Sequence, residues 1–77
     1  MEELLKAIVC ELVEDKDSIV ITTDEPNDEG IITLHLHVAE GDMGRVIGKQ
    51  GRIAKAIRTV MRAYASKNDQ KILVEID

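Results

Sequence analysis

The sequence predicts an α+β fold in which three helices pack on one face of a three-stranded sheet. Apolar residues recur at a spacing of three to four near the N-terminus and again in the second half of the chain, as in amphipathic helices. Three shorter stretches are rich in β-branched residues or alternate between apolar and polar residues, as in strands. A length of 77 residues accommodates one domain, residues 1–77. One helical layer on one sheet is then the simplest packing.

The chain opens with an amphipathic helix, which is predicted over residues 2–14. Glu2 and Glu3 lie where the helix dipole favours negative charge. One stripe of this helix collects the apolar residues Leu4, Leu5, Ile8, Val9, Leu12 and Val13. The sequence Asp-Lys-Asp at residues 15–17 is expected to end the helix.

Two strands are predicted next, and we expect them to form a hairpin. Residues 18–23 are rich in β-branched side chains, which favours a strand. Residues 31–38 alternate, so that Leu34 and Leu36 face one side while His35 and His37 face the other. The connection, residues 24–30, contains the only proline and four acidic residues, which indicates a long acidic loop.

The second half of the chain predicts two helices and a last strand. After a break at residues 39–41, Asp42 is placed to cap a short helix that ends near residue 47. A longer helix is predicted over residues 52–66, and the last strand over residues 71–76. The apolar stripe of the longer helix is expected to contain Ile53, Ile57, Val60, Met61 and Tyr64. Its opposite side is expected to carry Lys55, Arg58 and Arg62.

Composition argues against several classes of protein. The N-terminus is acidic and amphipathic, so we expect no secretory signal peptide. No apolar stretch approaches the roughly 18 residues that a membrane-spanning helix needs. A single cysteine, Cys10, cannot form a disulfide within the chain, and it is expected to be an ordinary residue on a helix flank.

Charge is strongly segregated along the chain. Residues 41–67 contain seven lysines and arginines against Asp42 alone, a net charge of +6, whereas the remainder carries −11 within the total of −5. This segregation favours one basic face directed at an anion, although a solvated basic helix would produce the same count.

The glycine-bracketed loop Gly48-Lys49-Gln50-Gly51 lies at the centre of the basic segment. It does not match a P-loop, because Gln50 stands where serine or threonine would bind magnesium, and it lacks the spacing of a dinucleotide fingerprint. Glycines between two helices instead allow a sharp reversal and the close approach of a sugar–phosphate chain. The helix that begins after Gly51 adds N–H groups and a positive dipole end.

The run from Val46 to Ile53, followed by Ile57, resembles the signature of KH domains, in which apolar residues flank a G-x-x-G loop. The order helix–strand–strand–helix–helix–strand resembles the type II KH domain of bacteria. Over the whole chain the sequence is similar to the small single-domain KhpA family. This resemblance implies a cytoplasmic, non-enzymatic protein that binds single-stranded RNA without a cofactor. It also implies a homodimer or a complex with a larger KH protein (KhpB, or Jag), RNA-chaperone activity, and a link to cell elongation and cell-wall homeostasis.

The resemblance also assigns roles to residues of this sequence. The phosphate clamp would consist of Gly48, Lys49, Gln50 and Gly51. The groove for bases would be lined by Val46, Ile47 and Ile53. Flanking and extended positive charge would come from Arg45, Arg52, Lys55, Arg58 and Arg62. Because no aromatic residue lines this groove, stacking worth roughly 1–3 kcal/mol per base is missing, and we expect weak affinity with little sequence preference.

Other interpretations are considered beside this one. His35 and His37 share a strand face, but no further ligand completes a metal site, and they are expected on the sheet face away from the helices. Part of the apolar stripes could remain exposed as a dimer contact. A protein–protein adaptor, in which the fold mainly mediates pairing, is therefore the alternative function. A small-nucleotide binder or enzyme subunit is a more remote one.

Overall fold

The structure, a computed structural model, describes residues 1–76, and its element order is the predicted one. The helices and strands are α1 (Glu2–Cys10), β1 (Val20–Thr23), β2 (Ile31–His37), α2 (Met43–Ile47), α3 (Arg52–Lys67) and β3 (Lys71–Ile76). Single turns of 3-10 helix lie at Lys16–Ser18, Glu40–Asp42 and Lys49–Gly51. The α+β fold is thus confirmed. None of the helices in residues 1–76 combines the length and apolar character needed to cross a membrane.

The three strands form one mixed sheet in the order β1-β2-β3. β1 and β2 are antiparallel, with Val20 opposite His37, so the predicted hairpin is present. β2 and β3 are parallel, with Leu34 opposite Val74, because α2 and α3 carry the chain across between them. β1 and β3 are therefore the two edges of the sheet.

The core lies between one face of the sheet and the helices. Leu34 and Leu36 are fully buried there, as the alternation of β2 predicts, while His37 on the other face is exposed. The helices and β3 complete the core with Leu5, Val9, Val46, Ile57, Met61, Ala65, Ile72 and Val74.

The buried side of α3 differs from the predicted stripe. Val60 and Tyr64 are 47% and 41% exposed, so these two members of the predicted stripe lie outside the core. The small residues Ala54 and Ala65 are buried instead, beside Ile57 and Met61. Small side chains let a helix lie close to a sheet. A pattern that counts only large apolar residues therefore misses Ala54 and Ala65, and it centres the buried face too far toward Val60 and Tyr64.

α1 also ends earlier than predicted, at Cys10, because the chain that follows is held by a distant side chain. The carboxylate of Asp42 accepts hydrogen bonds from the backbone N–H groups of Glu14 and Asp15, at 3.1 and 3.0 Å. Asp42 makes no side-chain cap on α2, so its predicted capping role is wrong. The N–H groups of Asp15 and Glu14 lower the pKa of the buried Asp42 carboxyl, with a further contribution from Arg45 and an opposing one from burial.

Candidate nucleic-acid interface

Gly48 begins the loop between α2 and α3 in a conformation that side chains rarely adopt. Its φ and ψ are 75° and 176°, a region populated almost only by glycine. Its N–H closes α2 by donating to the carbonyl of Gly44 at 2.9 Å. A Cβ at Gly48 would lie 2.3 Å from Cγ1 of Ile53. Glycine is therefore required both by the backbone and by the packing of Ile53 against it.

Gln50 and Gly51 continue the loop in the left-handed region, with φ of 57° and 74°. The N–H of Gly51 donates to the carbonyl of Gly48 at 3.2 Å, which closes the turn. A Cβ at Gly51 would meet nothing within 4 Å. Gly51 thus serves the backbone conformation alone, and the surface beside it is open to a ligand.

The loop leads into the positive end of α3. No side chain within residues 1–76 caps this N-terminus, and the first turn contains no acidic residue. The first N–H groups of an α-helix have no partner within the helix. Lys49 and Arg52 are exposed beside them, and Arg52 makes a long contact of 3.4 Å with Gln50. The partial positive charge of the helix N–H groups and the full charges of Lys49 and Arg52 therefore lie at the same open surface. This arrangement is suited to a phosphate group.

The predicted site residues divide into surface and core. Lys49, Gln50, Arg52 and Lys55 are exposed, as are Arg62 and the side chain of Ile47. Ile53 is half-buried because it packs on Gly48. Val46 is fully buried, so it belongs to the core beneath the loop and does not line a surface groove.

Two of the predicted cationic residues are already engaged within the protein. Arg45 contacts Glu14 at 2.6 Å and Asp42 at 3.4 Å. Arg58 is half-buried and donates from Nε to the backbone carbonyl of Val74 at 3.2 Å. Arg58 therefore joins α3 to the outer edge of β3. Sequence patterns carry no signal for the contacts of Arg45 with Glu14 and of Arg58 with Val74, because these residues lie 31 and 16 positions apart.

A separate apolar groove lies between α1 and α3, with a volume of about 340 Å³. It is lined by Leu4, Ile8, Leu12, Ile53, Ala56, Ile57 and Val60. The apolar stripes of the two helices are thus only partly covered. Ile53 contributes to this groove and also packs on the loop.

The histidines lie on the sheet face away from the helices. His35 is placed between two carboxylates, with Nε2 at 2.7 Å from Asp24 and Nδ1 at 3.4 Å from Glu75. Within residues 1–76, no three potential metal-ligating side chains come together in a suitable group.

Comparisons with known proteins identify the family of this chain. A family model described as "KhpA/KhpB, KH domain" matches residues 2–76. The chain belongs to the KhpA/KhpB KH-domain family. It is a non-enzymatic family, in agreement with the prediction from the sequence.

Relatives share the full length of the chain. The RNA-binding protein KhpA of Listeria monocytogenes is 55% identical, with 99% of this chain and 97% of the relative aligned. The protein of the same name from Clostridium acetobutylicum is 50% identical, with 99% of each chain aligned. Aquifex aeolicus KhpA is 36% identical, covering 99% of this chain and 94% of its own.

A solved structure shares the fold. Era bound to MgGDPNP and nucleotides 1506–1542 of 16S ribosomal RNA superposes with a TM-score of 0.68 at 20% identity. The match covers 96% of this chain but only 28% of Era. At this identity the likeness shows the KH-like fold alone.

Proposed function

We propose that this protein binds single-stranded RNA, with residues 48–51 as a phosphate clamp. The observation that carries the proposal is the open, left-handed backbone of Gln50 and Gly51 at the uncapped N-terminus of α3. A sugar–phosphate chain can approach this backbone without meeting a side chain at Gly51. The name of the full-length relatives, RNA-binding protein KhpA, supports the same conclusion.

Exposed cations supply most of the affinity in this proposal. Lys49 lies in the loop, and Arg52 and Lys55 follow on the first turn of α3. Ile47 offers a small apolar surface to a base, while Val46 supports the loop from the core. Contacts made mainly to phosphates carry little sequence information. We therefore infer low sequence specificity, as in an RNA chaperone or a post-transcriptional regulator that acts in the cytoplasm.

A matched pair of variants tests the clamp. Lys49 and Lys16 are both exposed lysines in single turns of 3-10 helix, so Lys49→Asp and Lys16→Asp change the net charge equally. Lys49→Asp should abolish binding to a single-stranded RNA oligonucleotide, and Lys49→Asp with Gln50→Asp should do the same with an unchanged CD spectrum. Lys16→Asp should reduce binding only slightly. Equal losses in the two single variants would contradict the clamp.

The salt dependence of the same binding reaction measures the phosphate contacts. For single strands, log K should fall with log[salt] by about 0.7 per neutralised phosphate. A wild-type slope near zero would show that binding is not electrostatic and would rule out the proposed clamp.

A second component of the proposal is self-association, or pairing with a larger KhpB-type KH protein. The apolar groove between α1 and α3 supports it, because Val60 is 47% exposed there among other aliphatic side chains. If pairing were the main role, the protein would act as an adaptor, the alternative function. A single domain with weak RNA affinity would gain from pairing through effective concentration.

Sedimentation distinguishes the two roles. Val60→Asp should convert a dimer to a monomer, whereas Thr59→Asp, on the neighbouring exposed position, should not. RNA-independent association that persists in Lys49→Asp would separate pairing from RNA binding.

The proposed link to cell elongation and cell-wall homeostasis is tested by complementing a bacterial deletion strain with wild-type protein or Lys49→Asp. Rescue by the wild type alone would support a role that depends on RNA.

A further inference from the structure

The outer edge of β1 is an unpaired strand edge at the opposite side of the sheet from β3 and α3. Asp24 donates its N–H to the carbonyl of Thr33 on β2, at 2.9 Å. In an antiparallel pair the residues alternate between facing the partner strand and facing away. With Thr22 opposite His35, the N–H and C=O groups of Ile21 and Thr23 must therefore point away from β2. No other strand of residues 1–76 pairs with this edge.

Apart from the shortness of β1, which has four residues, the features that commonly prevent strand pairing are absent from this edge. Residues 18–23 contain no charged residue, no proline and no glycine. Folded proteins usually protect an exposed edge with such residues or cover it with another element. β1 is therefore a suitable template for an added strand.

A groove of about 380 Å³ lies along the edge, between α1 and β1. Its floor includes Ile19 and Ile21, which also pack against the core, and its wall includes Glu2, Glu3 and Lys6 of α1. The carboxylate of Glu2 accepts a hydrogen bond from the hydroxyl of Thr23, which holds it beside the edge. Side chains of an added strand that point to the helix side would meet aliphatic surface first and carboxylates beyond it.

The charge around the edge selects the kind of partner. Beyond Glu2 and Glu3, acidic Asp17 and Asp24 flank the strand at its two ends, against Lys6 in the groove and Lys16 beside Asp17. RNA is disfavoured by this charge. A second copy is disfavoured too, because antiparallel pairing of two β1 strands would bring these acidic groups together across the interface. Lysine and arginine fit, since their aliphatic stems pack on apolar surface while the charged ends reach carboxylates.

We propose that the free edge of β1 binds an extended basic peptide segment of another protein by strand addition. Lysine or arginine at alternate positions faces the α1 groove, and β-branched residues between them lie over Val20, which is 50% exposed on the other sheet face. Main-chain hydrogen bonds to Ile21 and Thr23 supply affinity, and the alternating side chains supply selectivity. Because the residues that line this edge are not those of the loop at residues 48–51, the peptide and RNA can be bound at the same time.

The probe is a capped peptide that alternates lysine and valine, and the control peptide replaces each lysine by glutamate. In ¹⁵N NMR spectra of the full chain, the basic peptide should shift the amide signals of Ile21 and Thr23 and slow their hydrogen exchange. The acidic peptide should do neither. If about 1 mM of the basic peptide produced no shift at these amides, the dissociation constant would be weaker than that of almost any specific contact, and the proposal would be overturned. Shifts centred instead on residues 48–51 or on the α1–α3 groove would also overturn it.

Two sets of variants separate charge from backbone pairing. Glu2→Lys with Glu3→Lys should weaken the basic peptide at least tenfold, whereas Glu11→Lys with Glu29→Lys, an equal charge change at other exposed positions, should have little effect. Thr23→Pro removes an outward N–H without removing a bond to β2, so it should abolish binding in a folded protein. A similar loss of peptide affinity in the two double variants, or unchanged peptide binding by Thr23→Pro, would refute strand addition at this edge.

Discussion

Replacing Gly48 by alanine should destabilise the protein far more than the same change at the other glycines near the loop. The new Cβ would lie 2.3 Å from Cγ1, 2.9 Å from Cβ and 3.0 Å from the backbone N of Ile53. A flexible side-chain end could move away, but a branch-point carbon and a backbone nitrogen at the start of α3 cannot do so without shifting the helix. The backbone at φ 75° and ψ 176° adds its own strain.

The magnitude follows from these two contributions. A side chain in a region reserved for glycine costs about 1–3 kcal/mol, and overpacking a rigid contact costs about 1–3 kcal/mol more. The sum, about 2–6 kcal/mol, is a large share of the roughly 4–12 kcal/mol expected for a chain of this length. Urea unfolding followed by the helical CD signal measures the loss as a change in midpoint.

Gly51 and Gly44 serve as matched controls. Gly51→Ala meets no neighbour but keeps a left-handed φ of 74°, so it should cost only about 1–2 kcal/mol. Gly44→Ala also meets no neighbour and lies within α2, where alanine is favoured by roughly 0.5–1 kcal/mol. From the most to the least stable, the expected order is Gly44→Ala, wild type, Gly51→Ala and Gly48→Ala.

A double-mutant cycle tests the cause. Ile53→Ala removes Cγ1, the atom nearest to the new methyl group, so Gly48→Ala should cost about 1 kcal/mol less in that background. Additive losses, or a Gly48→Ala variant as stable as Gly51→Ala, would refute the close packing of Ile53 on Gly48.

Three further predictions concern charged residues. The pKa of Asp42 is lowered from its ordinary 3.8 in the folded protein, so its contribution to stability is complete above that value and is lost as the pH falls through the lower folded pKa. In Asp42→Asn, the urea midpoint of unfolding should therefore fall less steeply with decreasing pH than in the wild type. An equally steep fall in the two proteins would contradict the contacts to Glu14 and Asp15. Glu14→Gln should remove the 2.6 Å carboxylate partner of Arg45 while leaving Asp42 at 3.4 Å, and it should strengthen RNA binding by at most about fivefold because the pair with Glu14 is exposed. Fluorescence anisotropy at low salt checks this, and the gain should vanish in Arg45→Ala. Arg58→Met keeps the aliphatic stem but removes the bond to the Val74 carbonyl, so it should lower the free energy of unfolding by about 0.5–1.5 kcal/mol, whereas Arg62→Met should change it little in the same urea titration.

The sequence by itself determined the element order, the alternation of β2, the glycine loop and the concentration of positive charge around it. These features are local, since they depend on spacing and composition within a few turns of chain. The same local patterns failed where side chains act over a distance. The position of Asp42 before α2 predicts a helix cap, but its carboxylate binds the chain after α1, 27 and 28 residues away.

Only the tertiary structure decided how the apolar and basic residues divide between core and surface. Val46 is fully buried while Ile47, its neighbour in sequence, is 37% exposed, because α2 turns one side to the core. Ile53 is held against Gly48 by close packing, and Arg45 and Arg58 are bound within the protein by residues distant in sequence. Burial and pairing depend on which surfaces meet in three dimensions, and spacing along one chain does not contain that information.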